Sequence, residues 1–325
     1  MFYGCKVFMS QKLNVAVLMG GKSSERDISL ISAKEVIKYL DKSKYNIFKY
    51  DTAKDVEKIV KDRNKIDVAM PILHGLGGED GKIQGFLETL ELSYVGSKVL
   101  ASAIAIDKYA SKKIYQHENI LTPKFQVITN KKDKIKIKLP FVVKPVSQGS
   151  SVGTSIVKNK DELAKALKNA FEFENRIIIE EYIEGIEITV PILGNANPQS
   201  LPVIEIVPPK GAFFNRNNKY DGTTQEIIPA RIPKYLTKQA QEIGIKTHNA
   251  LGCSGLSRTD MIIKANSQKP KANSQIYVLE TNTIPGMTSE SLFPKSAKSA
   301  GISFSKLLDK LIILALEGNE VGKIK

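Results

Sequence analysis

Cysteine is scarce in this chain. Cys5 and Cys253 are the only two among 325 residues, too few for a disulfide framework or a thiolate metal cage, and neither lies in a CxxC pair. No run of 18 apolar residues occurs that would cross a bilayer as a helix, and the opening residues MFYGCKVFMSQK hold no long apolar segment followed by a small-residue cleavage site. These absences lead us to expect a cytoplasmic protein with reduced thiols and no membrane partner. The segment before Leu13 fits no element and reads as a frayed extension, with Met9 as an alternative start. No GxxxxGK[ST] P-loop is present, and HGLGGEDG (74–81) fails GxGxxG because position 80 is Asp. Acidic residues are in the minority: 48 Lys and Arg against 34 Asp and Glu leave a net charge of +14. Such a surplus suits nucleic acid or small anions. The lysines are spread along the chain, however, and aromatic stacking residues are not interleaved with them. We therefore expect no nucleic-acid partner. The densest basic run, NKKDKIKIKLP (130–140), alternates with isoleucine and reads as an edge strand with a solvated lysine face.

What the chain does contain is alternation. From Leu13 a short apolar strand, a glycine-rich turn and a helix follow one another, then strand (44–51), helix (53–63) and strand (66–73) again. That pattern predicts a parallel sheet covered on both faces. MGGKSSE and HGLGGEDG fall at the carboxyl ends of its strands, where ligands bind in open α/β sheets. A helix over 102–119 leads to a break at Pro123. Beyond it the reading turns to β-strands around one helix (160–171), a small α+β region, then further strands, a long polar stretch near 210–226, a helix at about 235–251, two strands and a last helix.

KPVSQGSSVG (144–153) carries a lysine from a β-rich run into a loop of glycines and serines. Three readings compete. Gly149, Ser151 and Gly153 satisfy GxSxG, but that nucleophile elbow needs a following helix and a later histidine; here β-branched residues follow and His248 lies within an amphipathic helix. A plain hairpin turn leaves Lys144 unexplained. A phosphate-binding flap uses the lysine's charge, the serine hydroxyls and bare backbone N–H groups together. Carboxylates far downstream favour the flap. Arg258 and Asp260 on one apolar strand, and Glu280 and Asn282 on another, are each two residues apart and so share a face. Antiparallel pairing would bring Asp260, Glu280 and Asn282 together as oxygen ligands of the kind Mg²⁺ or Mn²⁺ takes. An ordinary cross-strand pair of Arg258 with Glu280 is the structural alternative.

In these residues the chain resembles the D-alanine:D-alanine ligase family of the ATP-grasp superfamily. The matches run in order over about 13–316: GGKSSERDISLIS, HGLGGEDGKIQG, DKYASK, FVVKPVSQGSSVG, IIIEEYIEGIEITV, NKYDGTTQEIIPA, SRTDM and ETNTIPGMTSESLFPKSA. The resemblance implies α/β and α+β architecture: an N-terminal parallel-sheet substrate-binding domain (1–107), then an ATP-grasp fold of a central subdomain (108–187) and a C-terminal one (188–325) bearing a lid loop and a metal site. It implies ATP and two Mg²⁺ or Mn²⁺ ions as cofactors, two molecules of D-alanine as substrates, a role in peptidoglycan precursor synthesis and a homodimer through the first domain.

Residue by residue, it implies that Lys108 and Lys144 grip the ATP phosphates under the loop carrying Ser147, Gly149 and Ser151. Glu180, with Glu181, Tyr182 and Ile183, falls where adenine sits, and Glu187 where the ribose is held. Asp260, Glu280 and Asn282 match the metal ligands. Arg258 and the N–H of Gly286 match the groups that face a developing oxyanion. Glu25, Ser150, Tyr220 and His74 fall around the first D-alanine; Ser291, the Leu292 N–H and Lys219 fall around the second. Glu25 by itself reads equally as an acid at a helix N-terminus. Tyr220 favours an amine over D-lactate as second substrate, the D-alanine:D-lactate ligases being the rival within the superfamily. Thr281 departs from the family pattern, where alanine is more usual.

Overall fold

The structure, a computed structural model, describes residues 11–209, 223–265 and 274–320. Lys219, Tyr220 and Cys5 lie outside them. Among the described residues the chain forms three sheets.

The first joins β1 (Leu13–Met19), β2 (Tyr45–Asp51) and β3 (Val68–Pro71) in the order β2-β1-β3, all parallel. Val15, Ala16, Val17 and Leu18 are all fully buried. An unbroken apolar run of that kind suits a strand covered on both faces. Its cover comes from α1 (Arg26–Tyr39), α2 (Val56–Asp62) and α3 (Lys82–Thr89). At the β1–α1 turn Gly20 and Gly21 both have φ +76°, and a Cβ on Gly20 would stand 2.4 Å from Asp51 Oδ1. Only glycine fits there.

The predicted helix over 102–119 is two helices, α4 (Val99–Ile106) and α5 (Lys108–His117). Asp107 between them is extended, and its carboxylate accepts from Ala110 N at 2.8 Å, capping α5. The break also turns Lys108 N–H onto Val146 O at 3.0 Å.

The second sheet is antiparallel, in the order β4 (Phe125–Ile128), β7 (Ile177–Glu181), β5 (Phe141–Pro145), β6 (Ser155–Val157), with α6 (Lys160–Phe171) packed on it. The lysine-rich run, expected as an edge strand, is irregular. It lies along β4 tethered by one side chain: Gln126 Nε2 donates to Lys134 O and Gln126 Oε1 accepts from Lys136 N, both at 2.8 Å. An amide side chain thus takes the place of a strand ladder.

The third sheet runs β11 (Gln225–Ile227), β10 (Ile204–Val207), β8 (Gly185–Leu193), β12 (Leu256–Lys264), β13 (Ile276–Asn282), with β9 (Gln199–Ser200) also on β8. Helix α7 (Lys234–Ala250) approaches so closely that a Cβ on Gly244 would stand 2.9 Å from Val190. Helices α8 (Leu292–Ser299) and α9 (Phe304–Glu320) then return to the first sheet, where Phe293, Leu307, Leu308 and Ile312 are fully buried with Val15, Val17 and Met70.

Candidate active site

Strand β5 carries Lys144 near its end and leads into the loop 147–153. Ser150 and Ser151 both adopt left-handed φ, 50° and 56°, and Gly153 has φ 69°. Two successive non-glycine residues in that region store strain, a mark of functional loops. The loop closes on itself through Val152 N to Gly149 O at 3.0 Å and Thr154 N to Ser151 O at 3.2 Å, then enters β6. A strand where a nucleophile elbow needs a helix removes the hydrolase reading. His248 removes it again: it is enclosed in the core, its Nδ1 lies 2.8 Å from Ser257 Oγ, and burial pushes its pKa down to about 4.

Glu25 stands at the N-cap of α1, yet its side chain makes no capping bond. Its buried carboxylate instead accepts the Ser150 hydroxyl across 125 residues of sequence. Glu25 thus stands at the helix terminus, as the acid reading has it, and also holds a partner from the glycine-serine loop. A Cβ on Gly149 would come within 3.3 Å of the same carboxylate, so the loop approaches Glu25 as bare backbone. His74 is buried nearby, with Nε2 3.4 Å from Ser32 Oγ and Nδ1 3.8 Å from Glu79 Oε1.

Strands β12 and β13 are antiparallel, with Asp260 opposite Glu280 and Arg258 opposite Asn282, and the register shifts just after Asp260. Opposed carboxylates repel. Here cations offset them. Arg258 holds Asp260 bidentately, Nε to Oδ1 and Nη2 to Oδ2 both at 2.9 Å, and Lys108 Nζ is 3.4 Å from Glu280 Oε2. The alternative pairing of Arg258 with Glu280 gives way to this strand-internal fork. Burial works against the Arg258 charge, but attraction from Asp260 outweighs it and holds the pKa above the ordinary arginine value. Thr189 donates a further hydroxyl to Asp260 Oδ1 at 2.5 Å. Asn282 Oδ1 accepts from Ile284 N at 2.8 Å and keeps a second lone pair.

Among the described residues no three His, Cys, Asp or Glu side chains group as a metal cage. The third donor would be the Asn282 amide oxygen. Two directly opposed carboxylates and an amide oxygen on one sheet face are hard donors, a set that fits Mg²⁺ or Mn²⁺.

Four cations and three carboxylates meet at this seam. Lys108 Nζ donates to Gln148 O at 2.7 Å. Lys144 Nζ is 2.9 Å and Lys112 Nζ 3.3 Å from Glu180, which is 2% exposed. Burial disfavours the Lys144 charge, but Glu180, Glu280 and Asp260 outweigh it and raise its pKa. Burial likewise opposes ionised Glu180, and Lys112 and Lys144 outweigh it, holding the carboxyl below its usual range.

A cavity of about 570 Å³ opens beside the seam. Of the residues singled out in the sequence, it is lined by Glu25, His74, Lys108, Gly149, Ser150, Arg258, Glu280, Asn282, Gly286, Ser291 and Leu292. Lys144, Ser147, Ser151, Glu180, Glu181, Tyr182, Ile183, Glu187 and Asp260 are not in its lining. Glu181 and Tyr182 are fixed through the backbone, Glu181 N to Lys124 O at 2.8 Å and Tyr182 N to Pro140 O at 3.2 Å. Glu187 sits in β8, close enough that its charge helps raise the Tyr182 phenol. Ser291 Oγ accepts from Thr288 N at 3.1 Å, and Gly286 is so near that a Cβ would meet Ser291 Oγ at 2.8 Å. Sequence reading passed over Glu79, Lys112, Thr189, Glu226 and Lys295. All five lay inside the stretches that match the family, Lys112 one helical turn after Lys108 and Lys295, which lines the cavity and pairs with Glu226 at 3.0 Å, within ETNTIPGMTSESLFPKSA.

The geometry has counterparts. The family profile described as D-ala D-ala ligase C-terminus matches residues 103–313, and that described as D-ala D-ala ligase N-terminus matches 14–62 and 49–97. The D-alanine--D-alanine ligase of Syntrophobacter fumaroxidans is 48% identical over 316 residues, covering 95% of this chain and 99% of its own. The crystal structure of D-alanine--D-alanine ligase from Bacillus anthracis complexed with ATP superposes with a TM-score of 0.82 at 37% identity, covering 95% of this chain and 99% of that one. VanG D-Ala:D-Ser ligase from Enterococcus faecalis gives 0.80 at 32% identity, covering 94% and 100%. On profile matches to both of its parts, and on identity maintained along nearly the whole length, the chain belongs to the D-alanine:D-alanine ligase family.

Proposed function

We infer that this chain is an ATP-dependent ligase that joins two molecules of D-alanine into D-alanyl-D-alanine for peptidoglycan precursors. ATP phosphorylates the carboxylate of the first, and the amine of the second attacks the acyl phosphate, releasing phosphate and ADP. The observation that carries this reading is the meeting of Glu25 and His74, Ser150, Arg258 with Glu280 and Asn282, and Ser291 around one cavity. These groups come from five separate stretches of the chain, near residues 25, 74, 150, 258 and 280–291.

In this reading Glu25 pairs with the first D-alanine's ammonium and is itself aimed by the Ser150 hydroxyl, while His74 attends the same substrate. Arg258 and the Gly286 N–H face the oxyanion that develops when the acyl phosphate is attacked. Preorganised donors at that place are worth roughly 3 kcal/mol each. Ser291 and the Leu292 N–H take the second carboxylate, with Lys219 and Tyr220 assigned to the same reaction from outside the described residues. Lys108 and Lys144 neutralise the triphosphate under the loop carrying Ser147, Gly149 and Ser151. Glu180 offers a buried oxygen, Oε1, 3.3 Å from Lys112 Nζ and open to a further donor, which suits an exocyclic amino group beside the backbone of Glu181, Tyr182 and Ile183; Glu187 takes the ribose. Asp260, Glu280 and Asn282 would hold one or two Mg²⁺ ions, whose chemistry when bound is to offset phosphate charge.

Among the described residues no helix is long and apolar enough to cross a membrane, and dependence on ATP supports a cytoplasmic enzyme. We also propose a homodimer, which sedimentation would register as twice the monomer mass. With ATP and Mg²⁺, D-alanine is expected to drive phosphate release and L-alanine is not. D-lactate or D-serine outcompeting D-alanine as second substrate would redirect the assignment to a sister specificity, and no D-alanine-dependent phosphate would end it.

A further inference from the structure

Glu180 has two buried lysines where one would balance it. Lys144, the nearer, belongs to the strand that feeds the phosphate loop. Lys112, like Lys144, is buried and takes no part in the cavity lining, but it is fully enclosed and is anchored from below, donating to Thr122 Oγ1 at 2.7 Å. Thr122 in turn donates to Val278 O at 2.8 Å, on β13 two residues before Glu280. Lys112 therefore ties α5, Glu180 of the second sheet and β13 of the third to one point, and has no path to a ligand. Lys108 lies one turn away on the same helix, so two cations share a buried face. That arrangement is unfavourable unless each has its own anion.

We propose that Lys112 is a positioning residue, the standing counter-ion of Glu180, which keeps that carboxylate ionised and aimed when Lys144 turns its charge to the nucleotide phosphates. Without it, Lys144 would have to choose between Glu180 and the nucleotide, because a buried carboxylate stripped of both cations is strongly disfavoured. The inference rests on the ATP-ligase reading above for the role of Lys144.

The test uses the whole chain with Mg²⁺ and a non-hydrolysable ATP analogue, read by calorimetry, beside steady-state kinetics. Removing the outer partner of a metal-ligating side chain typically costs roughly 10–100-fold, and the same scale is expected for the partner of a nucleotide-binding carboxylate. K112M is expected to raise the analogue Kd and the KM for ATP by that much while leaving KM for D-alanine within about twofold. In E180Q/K112M the analogue Kd should be no worse than in E180Q alone, since Lys112 acts through Glu180. Should K112M fail to fold, T122V, which removes the hydroxyl beneath Lys112 but keeps its shape, decides by a smaller rise of the same sign. Unchanged nucleotide affinity, equal rises in both KM values, or additive effects in the double variant would each overturn the proposal. Wild-type protein that binds the analogue yet releases no D-alanine-dependent phosphate would sink the ligase reading instead, leaving the analogue titration to judge Lys112.

Discussion

Arg258 shows what one side chain does at this seam. Its guanidinium makes a planar fork on Asp260, fixing the carboxylate, and the residue also lines the cavity. Lysine offers a point charge and no fork. R258K is therefore expected to lower kcat by roughly a hundredfold, the scale of one lost oxyanion donor, with KM for D-alanine little changed. A kcat within threefold of wild type would remove Arg258 from the reacting centre. At this scale the sequence was legible where a residue's partner is implied by its chemistry. Lys144 on the strand that feeds a glycine-serine loop and paired carboxylates on strands announce anions and cations. Glu25 was ambiguous until the fold set it against Ser150, 125 positions away. Lys295 stayed hidden because its significance lies in what it faces.

Between residues and the whole, the break at Asp107 sets the geometry. Periodic apolar positions run through 102–119 without interruption, so spacing alone reads one helix. Asp107 ends it by competing for the backbone: its carboxylate takes Ala110 N and also pairs with Arg176 at 2.7 Å. The new helix begins at Lys108 and sends Lys108 and Lys112 inward on adjacent turns. D107A should cost about 1 kcal/mol through the lost cap, visible as a lower urea midpoint, and should raise KM for ATP because Lys108 loses its anchored start. Alternating strands and helices were readable from the periodicity because burial on two faces demands it. The lysine run was misread for a complementary reason: its isoleucines are half-buried against the second sheet, but the Gln126 side chain, not a strand ladder, takes the Lys134 carbonyl and the Lys136 N–H.

For the molecule as a whole, α8 and α9 close the chain back onto the first sheet, so the C-terminal region completes the N-terminal core. Local pattern could not show this, since an amphipathic helix does not name the face it will cover. We propose to keep the three-part division at 1–107, 108–187 and 188–325, its second seam falling inside β8. Global stability should respond to acid through His248. Its folded pKa of about 4 lies below the ordinary 6.5, so the unfolded chain takes up a proton the folded one refuses. The contribution is intact above pH 6.5 and is lost as pH falls toward 4, about 3 kcal/mol in all. Urea unfolding between pH 7 and 4 should be less steep in H248Q, and identical slopes would contradict a neutral core imidazole. The fringe of exposed lysines hung along β4 has a colloidal consequence. An uncovered sheet margin invites a second copy to stack against it, and a hem of like charge held at arm's length by one glutamine repels that visitor. Changing Lys132, Lys134, Lys136 and Lys138 to glutamine should make concentrated solutions cloud on gentle warming, while the dilute protein turns over as before.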